Sequence, residues 1–230
     1  MRILLKISWE ALKWKKDFWI DPDFVLGVVS KIKDIKSKNI ELVIVVGWWN
    51  IYRWGDLIES WVNASDSHSL SMLSTVFNWV VLKNFLEKQW LKSIVMDPNG
   101  VNFVEQYSKN RAIEYLDSWN IVICTWWTWN PYFTTDTWWV LRALELSCDM
   151  MIKATKVDGI YDKDPVKNED AIFFENISYE DVINKNLKIL DQTAVSLAKE
   201  WGLVIKVVNM SKTWAIINAI EWKKEGSTIS

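Results

Sequence analysis

The sequence predicts a three-layer α/β/α sandwich built around a mainly parallel central sheet. Its strand-like segments are unbroken apolar runs, such as Leu42-Val43-Ile44-Val45-Val46 and Ile121-Val122-Ile123-Cys124, with no polar alternation. A strand that reads this way is buried on both faces. Between the runs lie stretches with apolar residues at helical spacing, and strands alternating with amphipathic helices form a sheet covered on both sides.

Residues 2–8 form the first strand. Asp21 caps a helix running to about residue 38, in which Pro22 suits the first turn and Phe24, Val25, Val28, Val29, Ile32 and Ile35 share one face. Glu41–Val46 is the second strand, and a glycine-type loop leads from it into a long helical stretch over about 62–88. A short strand at 93–96, a helix near 109–118 and a strand at 120–124 follow. After a loop to Thr135 come a helix over 136–146 and a strand at 150–154. A helix near Gln192–Glu200 precedes a strand over 203–208, and a last helix near 212–222 precedes a short terminal strand. No repeat, low-complexity tract or linker interrupts this order, so 1–230 reads as a single domain.

Composition sets the class of protein. Half of the 230 residues are hydrophobic and 24% are charged, which fits a globular chain rather than a disordered one. No uncharged apolar run approaches the ~18 residues of a membrane span, and the N-terminus lacks a signal-peptide layout. The expectation is a cytoplasmic protein with no membrane partner. With 27 Lys+Arg against 29 Asp+Glu, the formal net charge of −2 argues against nucleic acid as a partner. Cys124 and Cys148 stand alone without metal-ligand spacing, so both read as reduced, buried structural thiols.

One pair of counts does not fit: 18 Trp but only 7 Gly. Ordinary usage puts about 16 glycines in a chain this long. The tryptophans also fall where indoles rarely sit. Trp48-Trp49-Asn50 and Trp126-Trp127-Thr128-Trp129-Asn130 follow strands, at turn sites, and Trp90 and Trp119 follow helices where a left-handed glycine usually stands. We read most Trp positions as glycine in the natural protein, through a UGA codon that specifies tryptophan in some genetic codes and glycine in others.

In parallel sheets, ligands collect at the C-terminal ends of strands. The unusual residues lie there: Lys6 with Ser8-Trp9, Gly47-Trp48-Trp49-Asn50, the 126–136 loop, and Lys156-Val157-Asp158. Paired glycines let backbone N–H groups cradle phosphate oxygens. No G-x-x-x-x-G-K-[ST], kinase-type G-x-G-x-x-G or H-R-D sequence is present, so neither a P-loop enzyme nor a protein kinase is supported. Lys6, Lys156 and Arg53, with Asp136, Asp158 and Asp164, match phosphoryl transfer, which needs positive charge and close positioning. Each also has a plainer reading. A strand-end lysine is more often solvated, Thr134-Thr135-Asp136 is a natural N-cap cluster, and His68 reads as a polar helix or pocket residue. These residues alone specify a nucleotide- or phosphate-binding α/β protein.

Four segments carry a resemblance. They are Lys6-Ile7-Ser8-Trp9-Glu10-Ala11-Leu12, Val45-Val46-Gly47-Trp48-Trp49-Asn50-Ile51-Tyr52-Arg53-Trp54-Gly55, Thr128-Trp129-Asn130-Pro131-Tyr132-Phe133-Thr134-Thr135-Asp136-Thr137, and Lys153-Ala154-Thr155-Lys156-Val157-Asp158-Gly159-Ile160-Tyr161. They closely resemble the bacterial uridylate (UMP) kinases of the amino-acid kinase superfamily. With Trp read as Gly, the similarity covers nearly the whole chain in order, and the tryptophans fall on the family's KxSGEAL, GGGNxxRG and GTGNPxFTTD glycines.

The resemblance implies an amino-acid kinase-like fold that moves the ATP γ-phosphoryl group to UMP, with the acceptor mainly on the N-terminal part and ATP mainly on residues 150–230. It places Lys6, Ile7, Ser8, Trp9, Trp49 and Arg53 along the ATP phosphates, and Thr155, Tyr161 and Asp164 at the ATP nucleoside. UMP would meet Trp48, Thr128, Trp129, Asn130, Pro131, Tyr132, Phe133, Thr134 and Thr135. His68 stands where the family usually has an Asp for the UMP ribose, with Asp66 two positions away. Lys6, Arg53, Asp136, Lys156 and Asp158 would be the catalytic set. Mg²⁺ would arrive on ATP with no protein metal ligand, and the family is hexameric and often activated by GTP and inhibited by UTP. Two other readings compete. A kinase of the same superfamily acting on a carboxylate or carbamate is disfavoured by the Asn130–Asp136 segment, and a non-catalytic nucleotide-binding oligomer by retention of Lys6 and Lys156.

Overall fold

The computed structural model describes residues 1–7, 20–46, 63–98, 101–125 and 135–230. In chain order the strands are β1 (Arg2–Ile7), β2 (Glu41–Val46), β3 (Ser93–Asp97), β4 (Glu105–Gln106), β5 (Ile121–Cys124), β6 (Met150–Thr155), β7 (Ile160–Tyr161), β8 (Phe173–Phe174), β9 (Asn176–Ile177), β10 (Val204–Asn209) and β11 (Ser227–Ile229). The helices are α1 (Pro22–Lys36), α2 (Ala64–Lys88), α3 (Lys109–Asp117), α4 (Thr135–Glu145), α5 (Tyr179–Asn184), α6 (Gln192–Glu200) and α7 (Ala215–Ile220).

Among the described residues, nine strands form one sheet in the order β4-β3-β5-β2-β1-β6-β10-β11-β9. Within it only the β10–β11 pair is antiparallel. β1 shows why its run had to be apolar throughout. Ile3, Leu5 and Ile7 pack with α1 and α7 on one face, while Leu4 faces the α4 and α6 side. Two cores thus sandwich a central sheet, as predicted. The strand ends that matter reach one edge, with Ile7, Ala154 and Val208 in register and Asn209 beside Thr155 one residue further on.

Local chemistry sets the helix starts. Asp21, Ser108, Ser178 and Asp191 accept from the backbone N–H of Asp23 (3.1 Å), Arg111 (3.3 Å), Asp181 (3.1 Å) and Ala194 (2.8 Å). Each satisfies a donor with no partner inside its helix.

Helix ends repeat one backbone motif. At Trp90, Trp119, Gly202 and Trp222, φ is 62°, 63°, 62° and 56°. The following residue's N–H then bonds a carbonyl five residues back: Leu91 to Leu86 (3.1 Å), Asn120 to Tyr115 (2.9 Å), Leu203 to Ala198 (3.0 Å) and Lys223 to Asn218 (2.9 Å). This is the turn whose left-handed residue is usually glycine.

The last helix is shorter than the spacing predicts. Asn209 accepts from Ser211 N–H at 2.9 Å, which turns the chain before α7 starts at Ala215. The two-residue strands β4, β7, β8 and β9 and the six-residue α5 lie in stretches where the sequence predicts no element, because so few residues carry no readable period.

Candidate nucleotide site

The site begins with two strand residues. Lys6 on β1 and Lys153 on β6 are register partners on adjacent parallel strands, and both face the α4 layer with Leu4 and Met151. Neighbouring strands lie about 4.8 Å apart, so two ammonium groups are forced together. Asp136, in the first turn of α4, answers both. One carboxylate oxygen accepts from Lys6 Nζ and the other lies 3.4 Å from Lys153 Nζ. Lys153 also donates to the Ile189 carbonyl.

A second set of contacts holds α4 in place. Asp191, the N-cap of α6, accepts from Thr137 Oγ1 at 2.8 Å and from Thr137 N–H at 3.1 Å. One carboxylate thereby ties the first turns of two helices and aims Asp136 at the strand ends.

Burial and charge act against each other in this cluster. Burial alone would raise the Asp136 pKa, but Lys153 and Lys6 outweigh it and hold the carboxyl below its ordinary 3.8. Burial dominates at Lys153 and brings its ammonium from 10.5 down to about 8, despite the Asp136 charge.

Thr155, Tyr161 and Asp164 line one cavity of about 440 Å³ whose lining also includes Lys153. Tyr161 packs edge-on against Phe173, with ring centroids 5.3 Å apart. Asp164 accepts from Val166 N–H at 2.9 Å and, through its carbonyl, from Asn168 N–H at 3.0 Å, which fixes the turn after Tyr161. Asp158 sits beside this cavity, held by Asn209 Nδ2 at 2.7 Å and Lys212 Nζ at 3.1 Å. The Asn209 hydrogen bond and then Lys212 keep its carboxyl below the ordinary range.

Lys156 is placed differently. It lines a separate cavity of about 410 Å³ with Thr155, Asp21, Phe24 and Lys31. The second lysine at Asp136 is Lys153, which the catalytic set read from sequence leaves out. Its signal was a charged residue inside the apolar run 150–154, at the register position of Lys6. Asp191 and Asn209 carried no signal beyond a cap and a strand end.

Ile7 is the buried last residue of β1, and Thr135 opens α4. Ser8, Trp9, Trp48, Trp49, Arg53, Thr128, Trp129, Asn130, Pro131, Tyr132, Phe133 and Thr134 lie outside the described residues, as does the side chain of His68 on α2. Cys124 and Cys148 are free and buried away from this cluster, and burial pushes the Cys124 thiol up to about 12. Among the described residues, no helix is long and apolar enough to cross a membrane.

A lysine-clasped carboxylate at the C-terminal edge of a parallel sheet, beside a nucleotide-sized cavity, suits phosphate chemistry. The model of the Amino acid kinase family matches residues 1–209. The chain belongs to the amino acid kinase family. Among curated relatives, this family member is 37% identical over 230 residues to the uridylate kinase of Serratia proteamaculans, covering all of this chain and 95% of that protein. It is 37% identical over 229 residues to that of Haemophilus influenzae, covering 99% and 97%. Among solved structures, the UMP kinase from Bacillus anthracis superposes with a TM-score of 0.96 at 29% identity, covering 100% of this chain and 95% of the other. The UMP kinase from Ureaplasma parvum gives 0.92 at 30% identity, covering 100% and 98%.

Proposed function

We propose that this amino acid kinase transfers the γ-phosphoryl group of ATP to the phosphate of UMP. A UMP phosphate oxygen bonds to the γ-phosphorus as the bond to the β,γ-bridging oxygen breaks, giving UDP and ADP. The observation that carries the reading is the Lys6–Asp136–Lys153 cluster, whose Lys153 also lines the Thr155–Tyr161–Asp164 cavity. Full-length similarity to uridylate kinases supports the acceptor.

In this reading Lys6 and Lys153 offer positive charge to the phosphates, and Asp136 keeps the two ammonium groups from repelling each other apart. Thr155, Tyr161 and Asp164 receive the ATP nucleoside. Arg53 and the 128–135 segment, with His68 near the ribose, receive UMP. Asp136 and Asp158 already have cationic partners, so Mg²⁺ fits as an ion carried by the nucleotide, where it supplies charge neutralisation on the phosphates. On the resemblance, the enzyme is a cytoplasmic homohexamer activated by GTP and inhibited by UTP.

We also infer that most of its tryptophans are glycine in the natural protein. Trp90, Trp119 and Trp222 occupy the same left-handed position as Gly202. The indole nitrogens of Trp79 and Trp139 are buried without an acceptor among the described residues, an arrangement proteins avoid. Indoles at Trp48, Trp49 and Trp129 would also obstruct the backbone approach a phosphate cradle needs.

A coupled assay following ADP release with UMP, CMP or aspartate, on protein carrying glycine at these positions, tests the activity. Turnover with UMP is expected. Turnover with aspartate alone would mean a carboxylate kinase, and none with any acceptor would mean a nucleotide sensor. The coding DNA at the 18 Trp codons, and an intact mass below 27.1 kDa from the source organism, test the glycine reading.

A further inference from the structure

The last three strands carry polar side chains that the phosphoryl-transfer site does not use. Lys206 on β10 is 4% exposed. Its register partner on β11 is Thr228, and Thr228 in turn pairs with Asn176 on β9. Three hydrogen-bonding side chains therefore stand in a row across three strands. They share the sheet face of Val204 and Val208, opposite the face of Lys6 and Lys153. The row floors a cavity of about 390 Å³ walled by the 222–226 turn.

The charged side chains around this cavity cancel in pairs, except at its floor. Lys224 meets Glu175 at 2.8 Å and Lys223 meets Glu221 at 2.6 Å. Glu225 accepts from Asn218 Nδ2 at 3.3 Å and lies 4.0 Å from Lys212 Nζ. Lys206 has only the Trp222 ring, 4.3 Å from its ammonium, and no hydrogen bond or ion pair among the described residues. The side chains of Thr228 and Asn176 likewise have no bonded partner there. The Lys206 stem is buried while its ammonium reaches the cavity, and an ammonium drawn partly out of water without a counter-charge is unfavourable. Burial also pulls the Lys206 pKa down. With glycine at 222, as inferred above, the ring contact goes and the ammonium opens further to the cavity.

We propose that this cavity is a binding site for a small oxyanion, a phosphate or a carboxylate, held by Lys206 Nζ, Thr228 Oγ1 and Asn176 Nδ2. It lies apart from the nucleotide site, and the missing counter-charge is the ligand's.

Site-resolved lysine acetylation, read by peptide mass mapping, tests this at constant ionic strength, with chloride replaced by inorganic phosphate or by succinate. At about ten times the dissociation constant, mass action leaves roughly one site in eleven free, so labelling of Lys206 should slow about tenfold. Lys223 and Lys224, already paired, should label at unchanged rates. Protection by phosphate alone identifies a phosphate ligand, and protection by succinate alone a carboxylate. The protection should persist in K6M, which alters the nucleotide site. No protection of Lys206 by either anion, equal slowing at all three lysines, or loss of protection in K6M would each overturn the proposal.

Discussion

Lys6 and Lys153 stand side by side on neighbouring parallel strands, and both ammonium groups converge on the carboxylate of Asp136. Without that carboxylate the sheet would hold two cations at strand spacing. Asp136→Asn keeps the shape and removes the charge, so it should cost about 3–5 kcal/mol, the penalty for leaving buried charge uncompensated. The Asp136 pKa is lowered in the folded state, so its stabilisation is full at neutral pH and fades only as pH falls below the ordinary 3.8. Urea unfolding at pH 7 measures the loss. Turnover should fall about a hundredfold or more as the two lysines lose their alignment. A fully stable and active D136N would refute this role.

The lowered pKa of Lys153 sets an alkaline limit. Below about 8 the residue is charged in both folded and unfolded chains. Between about 8 and 10.5 the unfolded chain keeps the proton that the folded chain releases, so this group makes folding more favourable as pH rises. Activity runs the other way, because the phosphates lose a cation. The pH profile of kcat/KM should descend near pH 8, and Lys153→Arg, charged throughout, should move that limb upward. A wild-type profile flat to pH 10 would exclude Lys153 from the chemistry.

Strand and helix order was legible because both core faces leave periodic marks. The run at β1 feeds Ile3, Leu5 and Ile7 to one layer and Leu4 to the other. Lys6 was legible as a polar residue at a strand end. Lys153 was not, since its meaning comes from register with Lys6, and register between strands distant in sequence cannot be read along the chain. Lys156 drew attention by following the strand, yet it lines another cavity. Asp191 precedes the helix at Gln192 with nothing along the chain to link it to Thr137, and only folding brings the two together.

Gly226 and Gly27 should respond oppositely to alanine. At Gly226 φ is +64°, and an added Cβ would lie 2.1 Å from the Val207 carbonyl oxygen, a backbone atom fixed in β10. G226A should therefore lose more than about 3 kcal/mol. Gly27 lies within α1, and a Cβ there meets nothing within 4 Å. G27A should gain about 0.5–1 kcal/mol from helix propensity. Thermal midpoints of the two variants check the pair, and similar shifts would contradict the geometry.

Trp90 isolates the backbone side of the glycine question, because its residue is 94% exposed and little burial is lost on truncation. Its φ of 62° is costly for any residue with a Cβ, by about 1–2 kcal/mol. Trp90→Gly should recover that cost, less about 0.5–1 kcal/mol for the freer unfolded chain. Trp90→Ala keeps the Cβ and should gain nothing. Gly202 provides the reciprocal case at the same turn, since its φ is +62° and an added Cβ meets nothing within 4 Å. G202A should therefore lose about 1 kcal/mol through conformation alone. Urea midpoints for the three variants decide it. If W90G is no more stable than W90A while G202A is destabilised, the tryptophan has found compensation that glycine lacks, and position 90 no longer supports glycine as the natural residue.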